Sequence, residues 1–194
     1  MRTYITSDEH YGHANIIKFS NRPFANTDEM TRVLIEKHNA KVPAGTGSLT
    51  IHLGDMFWHT LSIAECLTIM SKLNGLHAYV LGNHEENMEN EFLRSMFLSV
   101  ADMKVINWNK HKIVLCHYAM RVWDKSHTGS WMLYGHSHGD LPEQGLSFDV
   151  GVDCHNYEPW SMEEIEAKMA DLKQHHVIPK DKIFPFTELG QQGQ

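Results

Sequence analysis

The chain has 194 residues, 42% hydrophobic and 21% charged, with a formal net charge of −7. That size and balance fit one globular domain with its own core. The acidic excess argues against extended nucleic-acid binding, which needs many Lys and Arg contacts to phosphate. No apolar run approaches the roughly 20 residues that cross a bilayer. Met1 to Ile5 lacks a leader's apolar stretch, so no membrane association is expected and the expected location is cytoplasmic.

Arg2 to Ser7 alternates in β-forming residues and predicts a first strand, running directly into Asp8-Glu9-His10. A short helical piece follows around Ala14 to Phe19. Asn26 to Ala40 predicts a helix, with Asn26 as cap and Glu29 closing a capping box. Leu49 to Leu53 predicts a strand that delivers Gly54-Asp55. Ser62 and Glu65 form a second capping box, opening a helix through Leu73. His77 to Leu81 predicts a strand that delivers Gly82-Asn83-His84-Glu85. A helical pattern returns over Met88 to Phe97. Two strands, Lys104 to Trp108 and Lys112 to Cys116, turn at Asn109-Lys110, and the second delivers His117. Trp131 to Tyr134 delivers Gly135-His136-Ser137-His138, and Ser147 to Val152 predicts a further strand. Ser161 and Glu164 form a third capping box, opening a helix through about Leu172. The early strand–helix alternation implies a parallel sheet with helices on its faces. The later strands imply a mixed second sheet, giving a layered, sandwich-like α/β domain.

Four of the five polar clusters carry a glycine, a second ligand type or both; His117 stands alone. Each follows a predicted strand, and strand C-terminal ends are where open α/β sheets bind ligands. Asp8 and His10, and again His136 and His138, are two residues apart, which on an extended segment aims both side chains one way. Asp55 is a lone carboxylate able to bridge two cations with its two oxygens, and Asn83 offers a neutral carbonyl. The donor set mixes oxygen and nitrogen without thiolate. That favours manganese, iron or zinc over calcium or magnesium. Cys66, Cys116 and Cys154 have no paired spacing and are expected as buried, reduced thiols.

Read together, D-x-H … GD … GNHE … H … GHxH resembles the calcineurin-like metallophosphoesterase superfamily. The stretch Phe148 to Ser161 looks like its small stand-alone bacterial and phage members. The resemblance implies a two-sheet β-sandwich flanked by helices, with residues 1–173 as the metallophosphoesterase domain and 174–194 as a polar, partly flexible tail. It implies two divalent cations, manganese foremost, with iron, zinc or nickel as alternatives. One would take Asp8, His10, Asp55 and His138. The other would take Asp55, Asn83, His117 and His136. His84 would contact the phosphoryl group without ligating metal, its alternative role being support of the Asn83 loop. Gly54-Asp55-Met56-Phe57-Trp58 departs from the GDxxDRG of protein phosphatases, and Leu81 stands where they carry Arg.

The activity implied is a dinuclear phosphodiesterase acting on small nucleotide-like diesters through attack of a metal-bridging hydroxide. The alternatives are a phosphomonoesterase and a non-catalytic scaffold of the same fold. Asp55 and His84 are the expected catalytic residues. Arg22 and His13 are candidate substrate contacts, with a solvated surface arginine as the other reading of Arg22; Arg121 and His155 are further candidates. Phe57-Trp58-His59 could stack on a nucleobase or pack as core or lid, and Trp123 and Trp131 could form a lid. Self-association is left open.

Overall fold

The computed structural model describes residues 1–175. Of the expected tail, 176–194 lies outside the described residues. In chain order the elements are β1 (Arg2–Thr6), α1 (Ala14–Phe19), α2 (Thr27–Lys41), β2 (Ser48–His52), α3 (Ile63–Met70), β3 (Leu76–Val80), α4 (Glu91–Arg94), β4 (Val100–Ala101), β5 (Met103–Trp108), β6 (His111–Cys116), β7 (Trp131–Tyr134), β8 (Ser147–Asp149), β9 (Trp160–Ser161) and α5 (Met162–His175). They build two sheets. The first has the order β4-β3-β2-β1-β9, parallel except for the β1–β9 pair. The second, β5-β6-β7-β8, is mixed: β5 and β6 form an antiparallel hairpin and the rest pair in parallel.

Period-two alternation decides what each sheet buries. Ile5, Ile51, Leu53, Ala78 and Val80 of the first sheet meet Ile113, Leu115, Trp131, Leu133 and Phe148 of the second. Met162, Ile165, Met169 and Leu172, on one stripe of α5, join the same core. The opposite face of the first sheet packs on the helices through Tyr79, Met30, Leu34, Cys66, Ile69 and Leu93. Among the described residues, a loop rather than an α-helix covers the outer face of the second sheet. Val114, Cys116, Met132 and Tyr134 are covered by Met120 and Trp123 of the following loop.

The caps behave as the chemistry requires, with one shift. The Ser62–Glu65 capping box is complete. Asn26 accepts from the Glu29 N–H, but Glu29 reaches back to the Ala25 N–H rather than to Asn26. The helix expected over Met88 to Phe97 is divided, because Asn90 adopts an extended conformation and caps a new start at Glu91. The strand expected over Ser147 to Val152 stops at Asp149. Gly151 then bridges to Ser7, and Val152–Cys154 is a 3₁₀ turn. No helix of the described residues is long and apolar enough to cross a membrane.

Candidate metal centre

The sheet register brings the polar clusters together. Thr6 lies opposite His52, so beyond the strand ends the Asp8 N–H donates to the Gly54 carbonyl and the His10 N–H to the Asp55 carbonyl. The Gly135 N–H likewise donates to the His117 carbonyl. Two groups of donor atoms result, each within 4.8 Å of one another: Asp8 with His10 and His138, and Asp55 with His117 and His136. The two histidines of His136-Ser137-His138 therefore serve different groups instead of aiming the same way. The extended-segment argument fails because the backbone there is not extended. Asp8, His10, Asp55, His136 and His138 all have φ between 48° and 67°. Non-glycine residues rarely adopt this left-handed region, and it gathers at sites where the surrounding structure enforces it.

Asp55 sits between the groups. Its Oδ2 is 3.7 Å from His10 Nε2 and 3.6 Å from His117 Nε2. Its Oδ1 accepts from the Asn83 and His84 N–H groups at 2.9 and 3.0 Å. One carboxylate oxygen, rather than two, thus faces both groups. Asn83 Oδ1 lies 2.9 Å from His117 Nε2, and His117 Nδ1 is fixed 2.7 Å from the Leu53 carbonyl oxygen. This crowding needs glycine. A Cβ on Gly54, at φ +94°, would lie 2.6 Å from His117 Nδ1, and one on Gly135 would overlap Ser7 and Asp8.

Several supports were not legible as such. Asp153 accepts from Arg22 and lies 2.7 Å from His138 Nδ1, fixing that ring with Nε2 toward the centre. Asp149 accepts from Ser137 Oγ and from the Gly139 and Gly151 N–H groups, holding the His136–His138 loop. Glu85 Oε1 accepts from the Asp55 and Gly82 N–H groups, and the Tyr79 hydroxyl joins it, so Glu85 braces the loop. Asp149 and Asp153 stood out in the sequence only as part of the Phe148 to Ser161 resemblance, without a role, because their partners are set by the fold.

The remaining candidates divide. Arg22 is a correction: it turns inward, its side chain 0% exposed, and binds Asp153 and the carbonyls of Asp8 and Glu9. It shapes the ligand loop and does not face a substrate. His13 is buried and stacks on Trp58 with centroids 3.5 Å apart. His84 is half-buried, 4.7 Å from Trp58 and 5.9 Å from His10 by ring centroids. Phe57 is core, whereas Trp58 walls the centre. His155 stacks on Trp160 beside Glu164, and Arg121 is exposed on the 118–130 loop. Cys66 and Cys116 are buried thiols, but Cys154 is exposed.

The electrostatics of the buried donors suit a cation. Burial raises the Asp8 carboxyl well above its usual range and lowers His10 to about 2, with help from His138 and Arg22. Asp8 Oδ1 and His10 Nε2 are buried without a hydrogen-bond partner among the described residues, 3.9 Å apart. That is too long for a hydrogen bond and suits two ligands of one cation. Burial lowers His138, but its bond to Asp153 and the charge of Asp8 outweigh this and raise it. A divalent cation would reverse the penalty on Asp8 and use the neutral His10 ring as a donor. The residues fit such an ion.

No family model matches the chain. An uncharacterized protein of Methanocaldococcus jannaschii is 30% identical over 174 residues, 84% of this chain and 89% of that protein. A solved structure of a protein of unknown function from Aquifex aeolicus has a TM-score of 0.68 at 23% identity, covering 86% of this chain and 98% of that one, and shares the fold. A solved archaeal phosphodiesterase is similar at a TM-score of 0.48 and 20% identity, covering 78% of this chain and 84% of that one. The identity to the archaeal relative runs nearly the full length of both proteins, and here the ordered ligand series converges on one end of the paired sheets. This chain accordingly belongs to one family with the M. jannaschii protein.

Proposed function

We propose that the chain hydrolyses phosphoesters with two divalent cations, and that small nucleotide-like diesters are its substrates. The observation that carries this reading is Asp55 Oδ2, placed 3.7 and 3.6 Å from one histidine of each donor group. Asp8, His10, His138 and Asp55 would hold one ion, and Asp55, Asn83, His117 and His136 the other. Manganese is the expected metal, the donors being nitrogen and oxygen without sulfur. Bound cations would supply an activated water and positive charge against the phosphoryl oxygens.

The chain's own groups do the rest. Asn83 and His136 are exposed and His84 half-buried, so these three border the open side where a substrate enters. His84 donates a proton to the oxygen that leaves as the P–O bond breaks, and its backbone N–H keeps it registered on Asp55. Trp58 and His13 form a flat wall beside it. Arg22, whose guanidinium reaches the carbonyls of the first ligand loop, is engaged inside the fold. A site without that fixed cation suits the single charge of a diester better than the second charge of a monoester. The test is a panel of mono- and diesters, including cyclic nucleotides, assayed on chelator-stripped protein resupplied with Mn²⁺, Ni²⁺, Zn²⁺ or Mg²⁺. Diester turnover restored by metal is the expected result. Monoester preference would overturn the substrate class, and no turnover would return the scaffold reading.

A further inference from the structure

At the opposite end of the second sheet, the N-terminal ends of β6 and β7 open into a cavity of about 670 Å³. His117 and His136 follow the C-terminal ends of the same strands. A six-residue strand separates the two places by about 20 Å. Lys110, Lys112, Lys125 and Lys173 line this cavity with His111, and Glu166 is the acidic residue among them. That is a concentrated positive patch on a chain of net charge −7.

The gathering of four lysines on one cavity separates this patch from an ordinary solvated face. Elsewhere Lys37, Lys41 and Lys168 each meet a carboxylate, and Lys18, Lys72 and Lys104, which make no ion pair among the described residues, are scattered along the chain. Lys112 meets Asp124 at the cavity edge. Lys110, Lys125 and Lys173 make no ion pair among the described residues. Lys125 is also held in place: its φ is +60°, and its carbonyl accepts from the N–H groups of Thr128 and Ser130 and from Thr128 Oγ1. The floor is apolar and flat. The His111 ring stacks on buried Trp131 with centroids 4.1 Å apart and planes at 18°, beside Leu146 and Met169.

We propose that this cavity is a second binding site, distinct from the candidate metal centre, for a small phosphate-bearing ligand with a flat ring, of mononucleotide size. Pockets of about 300–1,000 Å³ hold ligands of that class. The unpaired lysines would receive the phosphate and the His111–Trp131 stack the ring. The inference needs no catalysis at the metal centre and stands apart from the reading above.

Full-length, chelator-stripped protein would be titrated with AMP, adenosine and inorganic phosphate, following calorimetry and the Trp131 indole resonance by NMR. AMP should bind saturably and more tightly than either part, and should shift the Trp131 signal. Lys110→Glu with Lys125→Glu should weaken AMP at least about tenfold, two charge-assisted contacts being lost. Metal content and diester turnover should stay at wild-type levels, and Lys173→Gln should give a smaller loss. Absence of saturable AMP binding, binding unchanged in the double variant, or binding of oligonucleotides with none of AMP would each overturn the proposal.

Discussion

Arg22 and Asp153, 131 positions apart, form a two-pronged ion pair with Nε–Oδ1 and Nη2–Oδ2 both at 2.8 Å. The pair ties both ends of the candidate centre together. Arg22 also holds the Asp8 and Glu9 carbonyls, and Asp153 also fixes His138. Arg22→Met strips the buried Asp153 carboxylate of its guanidinium, leaving it His138 alone, and should cost up to about 3 kcal/mol of stability, read by thermal or urea unfolding. Asp153→Asn keeps the volume but loses the anion that orients His138. It should weaken cation binding about 10–100-fold, measured by competition with a chelating dye. Wild-type metal affinity in Asp153→Asn would contradict this role.

Glu85 is held by two backbone N–H groups and the Tyr79 hydroxyl, and burial raises its carboxyl above the usual range. Glu85→Ala strands those donors, each at a cost of about 1–3 kcal/mol. Glu85→Gln keeps an acceptor and should lose much less. Urea midpoints of the two variants test the ordering, and equal losses would contradict it.

His84 borders both Trp58 and His10 but belongs to neither donor group. His84→Asn should lower turnover by about 10²–10⁴ with metal content intact. Parallel loss of metal would make it a ligand.

The positions of the donors were legible because each cluster follows a strand, and strand register alone gathers such ends. Their geometry was not. Asp8 and His10 converge through left-handed φ values, and His136 and His138 diverge for the same reason, which spacing on an extended strand cannot express. Arg22 read either as a substrate contact or as a solvated surface arginine because its partner Asp153 lies far along the chain. The two-residue strands β4 and β9 carry too little alternation to see. Asn90 looked like a helical position, yet its side chain accepts from the Leu93 N–H and restarts the helix.

Two histidines remote from the donors give a pH signature. His77 and His38 are buried on the helix side of the first sheet, and burial first of all lowers them to about 2 and about 4. Unfolded, both would titrate near 6.5. Between those values the unfolded chain binds more protons than the folded one. Their contribution is therefore complete above pH 6.5 and declines as pH falls. Well below 6.5 each ring removes about 1.4 kcal/mol per pH unit. Urea unfolding followed from about pH 7.5 to about pH 4.5 should show this decline, and His77→Leu should flatten it by about one proton. An unchanged slope would contradict the neutral buried ring.

The most direct test of the central claim is metal stoichiometry in Asp55→Asn. If Asp55 Oδ2 joins two cations, elemental analysis after manganese loading and desalting should give about two ions per chain in the wild type and no more than about one in the variant. Two ions per chain retained by Asp55→Asn would contradict the account.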